Sequence, residues 1–163
     1  MNILFLCTGN SCRSILAEAI FNALTPKEMH AVSAGSQPTG EVHPRSIALL
    51  KSKGIATEGY FSKSWDALPV TPDIVITVCS NAAGETCPAY LLNNSKRKVI
   101  RTHWGVDDPA KATGSETEIN ASFELAYQVL RKRIQAFLAL PIAELQHDNA
   151  RLKAALDNIG KLV

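Results

Sequence analysis

The sequence predicts an α/β protein, a three-layer sandwich in which a four-stranded parallel sheet lies between helices. Two observations support this prediction. Short runs rich in Val, Ile and Leu alternate with segments whose apolar residues recur at helical spacing. The clearest of these runs lacks the polar and apolar alternation of a half-exposed strand, which is typical of a strand buried on both faces. Parallel strands need a crossover between them, and the helical segments supply it.

The first half of the chain predicts two strands and two helices in alternation. Their predicted bounds are 2–6 and 29–33 for the strands, and 14–24 and 45–53 for the helices. Pro26 ends the first helix, because proline cannot continue a helical hydrogen-bond pattern. Pro44 opens the second helix and Gly54 closes it, as these residues commonly do at helix ends.

The second half predicts two further strands and one long helix, at 73–78, 98–102 and 117–140. The run at 73–78, DIVITV, is rich in β-branched residues, which favour strands. The long helix is amphipathic and ends before Pro141. Residues 1–140 are therefore the predicted α/β domain, and ligands of such domains bind at the carboxyl ends of the strands.

The tail, residues 141–163, predicts a C-terminal amphipathic helix. Its apolar residues recur at alternating spacings of three and four, a heptad pattern with Asn149 at one polar position. Two interpretations stay open: pairing with a second copy of the chain, in register through Asn149, or docking on its own domain. The short length and Gly160 favour docking, so a monomer or a weak homodimer is expected.

Composition restricts the function. The 163 residues are 46% hydrophobic and 20% charged, with a net charge of +2, which fits one globular domain rather than a disordered or repeat protein. This charge gives no broad electrostatic footprint for nucleic acid or an anionic membrane. The N-terminal apolar run is far shorter than the roughly 20 residues of a membrane span, so a cytoplasmic location is expected. A domain of this size needs no disulfides, and its four cysteines therefore call for a catalytic, redox or metal-binding explanation.

The loop after the first predicted strand has the features of an oxyanion site. Cys7 follows the strand directly and Arg13 stands where the first helix begins. Backbone N–H groups in such a loop converge at the positive end of the helix dipole, where a tetrahedral anion binds. Gly9 is expected to adopt a positive φ in the curl. The predicted oxyanion-binding residues are Thr8, Gly9, Asn10, Ser11, Cys12, Arg13 and Ser14.

The same loop predicts a nucleophile. The helix dipole and the Arg13 guanidinium favour the thiolate of Cys7, so its pKa is expected to be lowered. The alternative is a buried cysteine at a strand end with a surface arginine six residues later, because a bare pair with this spacing is common. The apolar strand before the loop and the amphipathic helix after it favour the catalytic interpretation.

Three separate motifs follow one another along the chain. They are CTGNSCRS with AEA after it, SAG with Gly40 five residues later, and HWGVDDPA near residue 105. Together they resemble the arsenate reductases built on the low-molecular-weight protein tyrosine phosphatase fold. The resemblance covers about residues 2 to 140 and implies the same four-stranded parallel sheet with flanking helices.

The resemblance implies arsenate as substrate, with phosphate or sulfate as analogues, and no cofactor. It implies that Cys7 attacks arsenic while Asp108, the residue before Pro109, acts as general acid. Cys79 then forms a disulfide with Cys7, and Cys87 resolves it into a Cys79 to Cys87 disulfide. Reductases with this cysteine trio use thioredoxin, and the eight-residue step from Cys79 to Cys87 is close to that type. Glutathione with glutaredoxin is the alternative reductant.

Two other functions remain open. Phosphatases of this fold carry two aromatic residues after the Asp-Pro pair, where this chain has Ala110 and Lys111, so a phosphotyrosine ring would lack its stacking partners. Four cysteines could instead bind zinc in a non-catalytic zinc or oxyanion-binding module. The step from Cys79 to Cys87 fits that alternative badly, because zinc knuckles favour about two to four residues between ligands.

Several residues in and near the loop have further expected roles. Cys12 is either an accessory thiol for Cys7 or a residue packed beneath the loop. Asn10 and Ser33 are expected to brace the loop. In cation-binding relatives Asn10, Glu18 and Ser33 are joined by a carboxylate from the 61–64 segment, where this chain has Lys63. We therefore expect the lysine ammonium to replace a potassium ion, and no metal site.

Overall fold

A computed structural model describes residues 1–26, 28–79, 84 and 98–163. Its four strands are β1 (Asn2–Leu6), β2 (His30–Ala34), β3 (Ile74–Thr77) and β4 (Ile100–His103), and all neighbouring pairs are parallel. The sheet order is β2-β1-β3-β4. This confirms the predicted fold class, and each predicted strand agrees with the observed one to within two residues.

Five α-helices lie around this sheet in the described part of the chain. They are α1 (Arg13–Leu24), α2 (Pro44–Ser52), α3 (Glu116–Leu138), α4 (Ile142–Leu145) and α5 (Asn149–Ile159). Pro44 begins α2 as predicted, and the His43 side chain caps it by accepting a hydrogen bond from the Arg45 N–H. Gly54 follows that helix with a positive φ of 73°, which a residue without a Cβ adopts at little cost.

The hydrophobic core lies on both faces of β1 and β3. Every residue of β3 is buried, as the apolar run at 73–78 predicts. Helices α1 and α3 cover one side, where Phe21 contacts Phe137 edge to face at 5.5 Å between ring centroids. Trp104 is completely buried at the end of β4. The same core includes Cys7, after β1, and Val78 and Cys79, after β3, so these residues are packed in place at the end of the central strands.

The tail differs from the single helix predicted over 141–163. It forms two helices, α4 and α5, and the Asp148 side chain caps the second by accepting from the Arg151 N–H. A capping aspartate starts a new helix rather than continuing one, which is why the heptad spacing did not give one continuous helix.

The tail also packs against the rest of its own chain. Leu152, Leu156 and Ile159 belong to the same hydrophobic core as the sheet. The Thr102 hydroxyl donates to the Asp157 carboxylate at 2.6 Å, which ties α5 to the edge strand β4. The predicted heptad seam is therefore the core-facing side of a docked helix.

None of the helices in the described part of the chain combines the length and the apolar character needed to cross a lipid bilayer.

Candidate active site

The residues singled out from the sequence meet at one edge of the sheet, where the parallel strands end. Cys7 follows β1, Gly35 follows β2 and Cys79 lies two residues beyond β3. The segment after β4, residues 104–108, is named the Asp108 loop here. The strand order places β1 between β2 and β3, so Cys7 lies at the centre of this edge.

In the loop that follows Cys7, residues 8–13, three carbonyl groups accept hydrogen bonds from other parts of the chain. The carbonyl oxygens of Thr8, Gly9 and Ser11 accept hydrogen bonds from neighbouring segments of the chain. Their donors are the backbone N–H groups of Gln37, Thr39 and His43, each at 3.0 Å. Because the carbonyls are fixed on the outside, the opposite side of the curl is left to the N–H groups, which is the arrangement an oxyanion site requires.

The positive φ of the curl lies at Asn10, with φ 46°, and not at Gly9. The expectation for Gly9 was therefore wrong. Asparagine tolerates this conformation when its amide makes local hydrogen bonds, and here the Asn10 amide donates to Ser14 at 2.8 Å and Ser33 at 2.9 Å. It also accepts from the Lys63 N–H at 2.9 Å. Asn10 therefore braces the loop from within, as expected.

Gly35 is a site residue whose role the sequence did not reveal. A Cβ on this glycine would lie 2.3 Å from the Thr8 carbonyl oxygen and 2.6 Å from that of Cys7. No other residue type fits at these distances, since the obstacles are backbone atoms. The glycine of the SAG motif is thus required by the close approach of two loops.

Arg13 and Asp108 form an ion pair beside the loop of residues 8–13, called the cradle below, with 3.3 Å between Nη2 and Oδ2. Arg13 also donates from Nη1 to the Val106 carbonyl at 2.9 Å. Its buried Nε has no hydrogen-bond partner among the described residues. A buried guanidinium donor without an acceptor is costly, and a bound oxyanion would satisfy it. Asp107, the neighbouring carboxylate, is exposed.

The structure brings Cys7 and Cys79 together. Both are buried, and neither forms a disulfide with another described residue. The hydroxyl of Thr8 lies 3.6 Å from the Cys79 sulfur. A hydrogen bond with Cys79 raises the pKa of the Cys7 thiol, and burial raises it further, whereas Arg13 and the Gly9 N–H lower it. The net direction is upward, opposite to the lowered pKa that the helix dipole and Arg13 predict.

Cys12 is buried in the same loop. Burial raises the pKa of its thiol, and hydrogen bonds with Ser46 and Ser11 oppose that effect. These contacts agree with the interpretation of Cys12 as a residue packed beneath the cradle. Cys87 lies outside the described residues.

Behind the cradle, Lys63 and Glu18 form a buried ion pair with 3.9 Å between Nζ and Oε1. The Ser33 hydroxyl donates to the same Glu18 oxygen at 2.6 Å, and Ser33 in turn accepts from Asn10. Burial raises the pKa of Glu18, while Ser33 and Lys63 oppose that rise. The lysine ammonium thus supplies a positive charge where the bracing residues meet.

Lys63→Met should lower the free energy of unfolding by about 3 kcal/mol at pH 7.5, because it leaves a buried carboxylate without its cation. Glu18 has a raised pKa in the folded chain, so the loss should shrink as the pH falls through that pKa and the carboxyl becomes neutral. Denaturant unfolding at pH 7.5 and 5 measures both effects. Equal losses at the two pH values, or potassium raising the stability of the unsubstituted chain, would contradict this role of Lys63.

Within the described residues, no cluster of three or more His, Cys, Asp or Glu side chains is arranged to hold a metal ion.

Comparisons with known proteins show the family to which the chain belongs. The model of the family described as low molecular weight phosphotyrosine protein phosphatase matches residues 2–151. An arsenate reductase from Halalkalibacterium halodurans is 40% identical over 136 residues, which cover 83% of this chain and 93% of that protein.

Two solved structures share the fold. An arsenate reductase from Archaeoglobus fulgidus has a TM-score of 0.62 at 24% identity, with 82% of this chain and 98% of that chain covered. A thioredoxin-dependent arsenate reductase from Corynebacterium glutamicum has a TM-score of 0.54 at 25% identity, covering 82% of this chain and 61% of that one. The chain therefore belongs to the low molecular weight phosphotyrosine protein phosphatase family and, within it, to the group of the arsenate reductases.

Proposed function

We propose that this chain reduces arsenate to arsenite with two electrons from its own cysteine thiols. The observation that carries the proposal is that two buried thiols, Cys7 and Cys79, follow the paired strands β1 and β3 at one edge of the sheet, beside the Arg13 guanidinium. Phosphoryl transfer needs one nucleophilic thiol in the cradle. A second thiol in contact with the first serves a reaction that ends in a disulfide. The names of the relatives support this choice.

In the first proposed step, arsenate lies in the loop of residues 8–14 and Arg13 binds its oxygens. Cys7 attacks arsenic as the thiolate and forms a sulfur–arsenic bond. One arsenic–oxygen bond breaks. Asp108 takes up a proton once the anion has replaced it on Arg13, and it donates that proton so that the oxygen leaves as water. The ion pair of Asp108 with Arg13 places its carboxyl beside the bound anion.

In the second proposed step, the Cys79 thiolate attacks the Cys7 sulfur. A Cys7 to Cys79 disulfide forms, and the electron pair of the sulfur–arsenic bond stays on arsenic, which leaves as arsenite. Arsenate and two thiols thus give arsenite, one disulfide and water. Cys87 then attacks Cys79, so that the Cys7 thiol is released and the disulfide moves to Cys79 and Cys87. No metal or cofactor enters either step.

An external dithiol must reduce the final disulfide. Thioredoxin is the proposed reductant, supported by the thioredoxin-dependent relative, and glutaredoxin with glutathione is the alternative. We propose a cytoplasmic location, where such reductants keep thiols reduced. The burial of the heptad residues of α5 against their own chain supports a monomer.

One coupled assay tests this function. Purified protein with thioredoxin, thioredoxin reductase and NADPH should consume NADPH only when arsenate is present. Cys7→Ser and Cys87→Ser should each abolish steady turnover. Cys7→Ser should form no arsenite, whereas Cys87→Ser should form one arsenite per molecule and then stop. If the unsubstituted chain consumes no NADPH with arsenate but hydrolyses p-nitrophenyl phosphate rapidly, and Cys87→Ser hydrolyses it equally fast, the chain is a phosphatase. Replacing thioredoxin by glutaredoxin with glutathione identifies the reductant.

A further inference from the structure

Two arginines from different helices, Arg13 on α1 and Arg133 on α3, hold the Asp108 loop. Arg13 binds the Val106 carbonyl and the Asp108 carboxylate from the cradle. Arg133, on helix α3, donates from Nη1 to the Gly105 carbonyl at 3.0 Å. Because Arg13 belongs to the proposed anion site, a bound anion would compete with the loop for its donors. Arg133 lies outside that site, so its hold on the loop does not depend on the anion.

Arg133 is itself held by the C-terminal tail. Its Nε donates to the Leu162 carbonyl at 2.9 Å, and its side chain is almost fully buried at 3% exposure. A buried guanidinium with two carbonyl acceptors has a fixed orientation, because its planar group offers donors in set directions. The Leu162 carbonyl therefore determines where the donor to Gly105 lies.

The tail also approaches the start of the Asp108 loop directly. The Trp104 indole N–H donates to the Leu156 carbonyl at 3.0 Å. A Cβ on Gly160 would lie 2.6 Å from the His103 carbonyl oxygen, so the tail backbone and the end of β4 are in close contact. The family match ends at residue 151, and Leu162 and Gly160 lie beyond it.

We infer that Arg133, oriented by the Leu162 carbonyl, is a positioning residue that sets the place of Asp108 for the proposed reduction. The expected effect of Arg133 on the rate of arsenate reduction rests on the proposed function. Arg133 acts through the Gly105 carbonyl, three residues before the proposed acid, and does not contact the anion. A displacement of about 1 Å in a general acid costs one to two orders of magnitude in rate.

The test compares Arg133→Met with Arg133→Lys and with the matched control Lys132→Met. Lys132 is the exposed neighbour of Arg133 on α3, and it donates to the main-chain oxygen of Val163 at 2.9 Å. Its substitution therefore removes a contact with the tail but leaves the hydrogen bond from Arg133 to Gly105 in place. Arg133→Met should lower the single-turnover rate of arsenite formation about tenfold, with unchanged phosphate affinity and Cys7 alkylation. Arg133→Lys should recover part of the rate, and Lys132→Met should keep the wild-type rate.

Three outcomes would overturn the inference: a wild-type rate in Arg133→Met, an equal loss in Lys132→Met, or a parallel loss of phosphate affinity, which indicates general damage. A chain ending at Gly160 lacks the Leu162 carbonyl and should show part of the Arg133→Met loss. An unchanged rate in that chain would contradict the orienting role of the tail.

Hydrogen exchange separates this inference from the proposed function. If the unsubstituted chain forms no arsenite, the proposed function fails, and amide exchange still reports on the loop. Arg133→Met should speed exchange at Gly105 and Val106, while Lys132→Met should not. Unchanged exchange in both variants would refute the positioning role, whatever the protein catalyses.

Discussion

Replacement of Cys79 by alanine should abolish arsenate turnover and, in the same protein, speed the alkylation of Cys7. Turnover should fall by about a thousandfold or more, because no second thiol is in place to release arsenic from Cys7. Alkylation should rise because the hydrogen bond with Cys79 is the largest cause of the raised pKa of Cys7. Each unit by which that pKa falls gives about ten times more thiolate near neutral pH.

The measurement is iodoacetamide labelling at pH 7.5, with the modified residue identified by peptide mass. Cys12→Ala is the matched control, because Cys12 is a buried thiol of the same loop and is not one of the main causes of the pKa shift of Cys7. The control should show no acceleration at Cys7. Slower labelling of Cys7 in Cys79→Ala would contradict the contact between the two thiols, and retained turnover would contradict the role of Cys79 in the proposed relay.

The raised pKa of Cys7 illustrates a limit of inference from sequence. The helix dipole and Arg13 are both evident from the loop sequence, and both act in the expected direction. Cys79 stands 72 residues further along the chain; the resemblance implies that it meets Cys7, but not that it raises the pKa of the Cys7 thiol. The loop sequence therefore predicts the effects that lower the pKa of Cys7, whereas the effect that raises it depends on the tertiary fold.

Asn10 and Arg133 are two further residues for which the sequence gives a signal but does not identify the partner. A tight loop with glycine and asparagine predicts a positive φ, but which residue adopts it depends on partners such as Ser33, which comes from another strand. Arg133 left a signal in the sequence, because it occupies a core-facing position between Leu130 and Phe137 in the helical pattern. An arginine on an apolar face predicts a buried partner. It does not identify that partner as a backbone carbonyl, because a backbone acceptor has no sequence signature.

Gly35→Ala should destabilise the protein more than any single alanine substitution in the cradle itself. The new methyl group would have to displace the Thr8 or the Cys7 carbonyl, which lie 2.3 and 2.6 Å from its position. Two hydrogen bonds fix the glycine from the other side, since its N–H donates to the Lys63 carbonyl and its carbonyl accepts from the Trp65 N–H. Neither loop can yield alone, and we expect a loss of about 3 kcal/mol, a melting temperature lower by about 6 to 12 °C.

Gly9→Ala is the matched control for this steric argument. Gly9 lies within the cradle, yet a Cβ there would have its nearest contact at 3.4 Å, with the Thr39 methyl group. Its stability should change by less than about 1 kcal/mol. Thermal unfolding of both variants compares them directly. Equal losses would show that glycine matters here for backbone freedom, whereas a loss confined to Gly35→Ala identifies the contact between the two loops as the constraint that shapes the anion site.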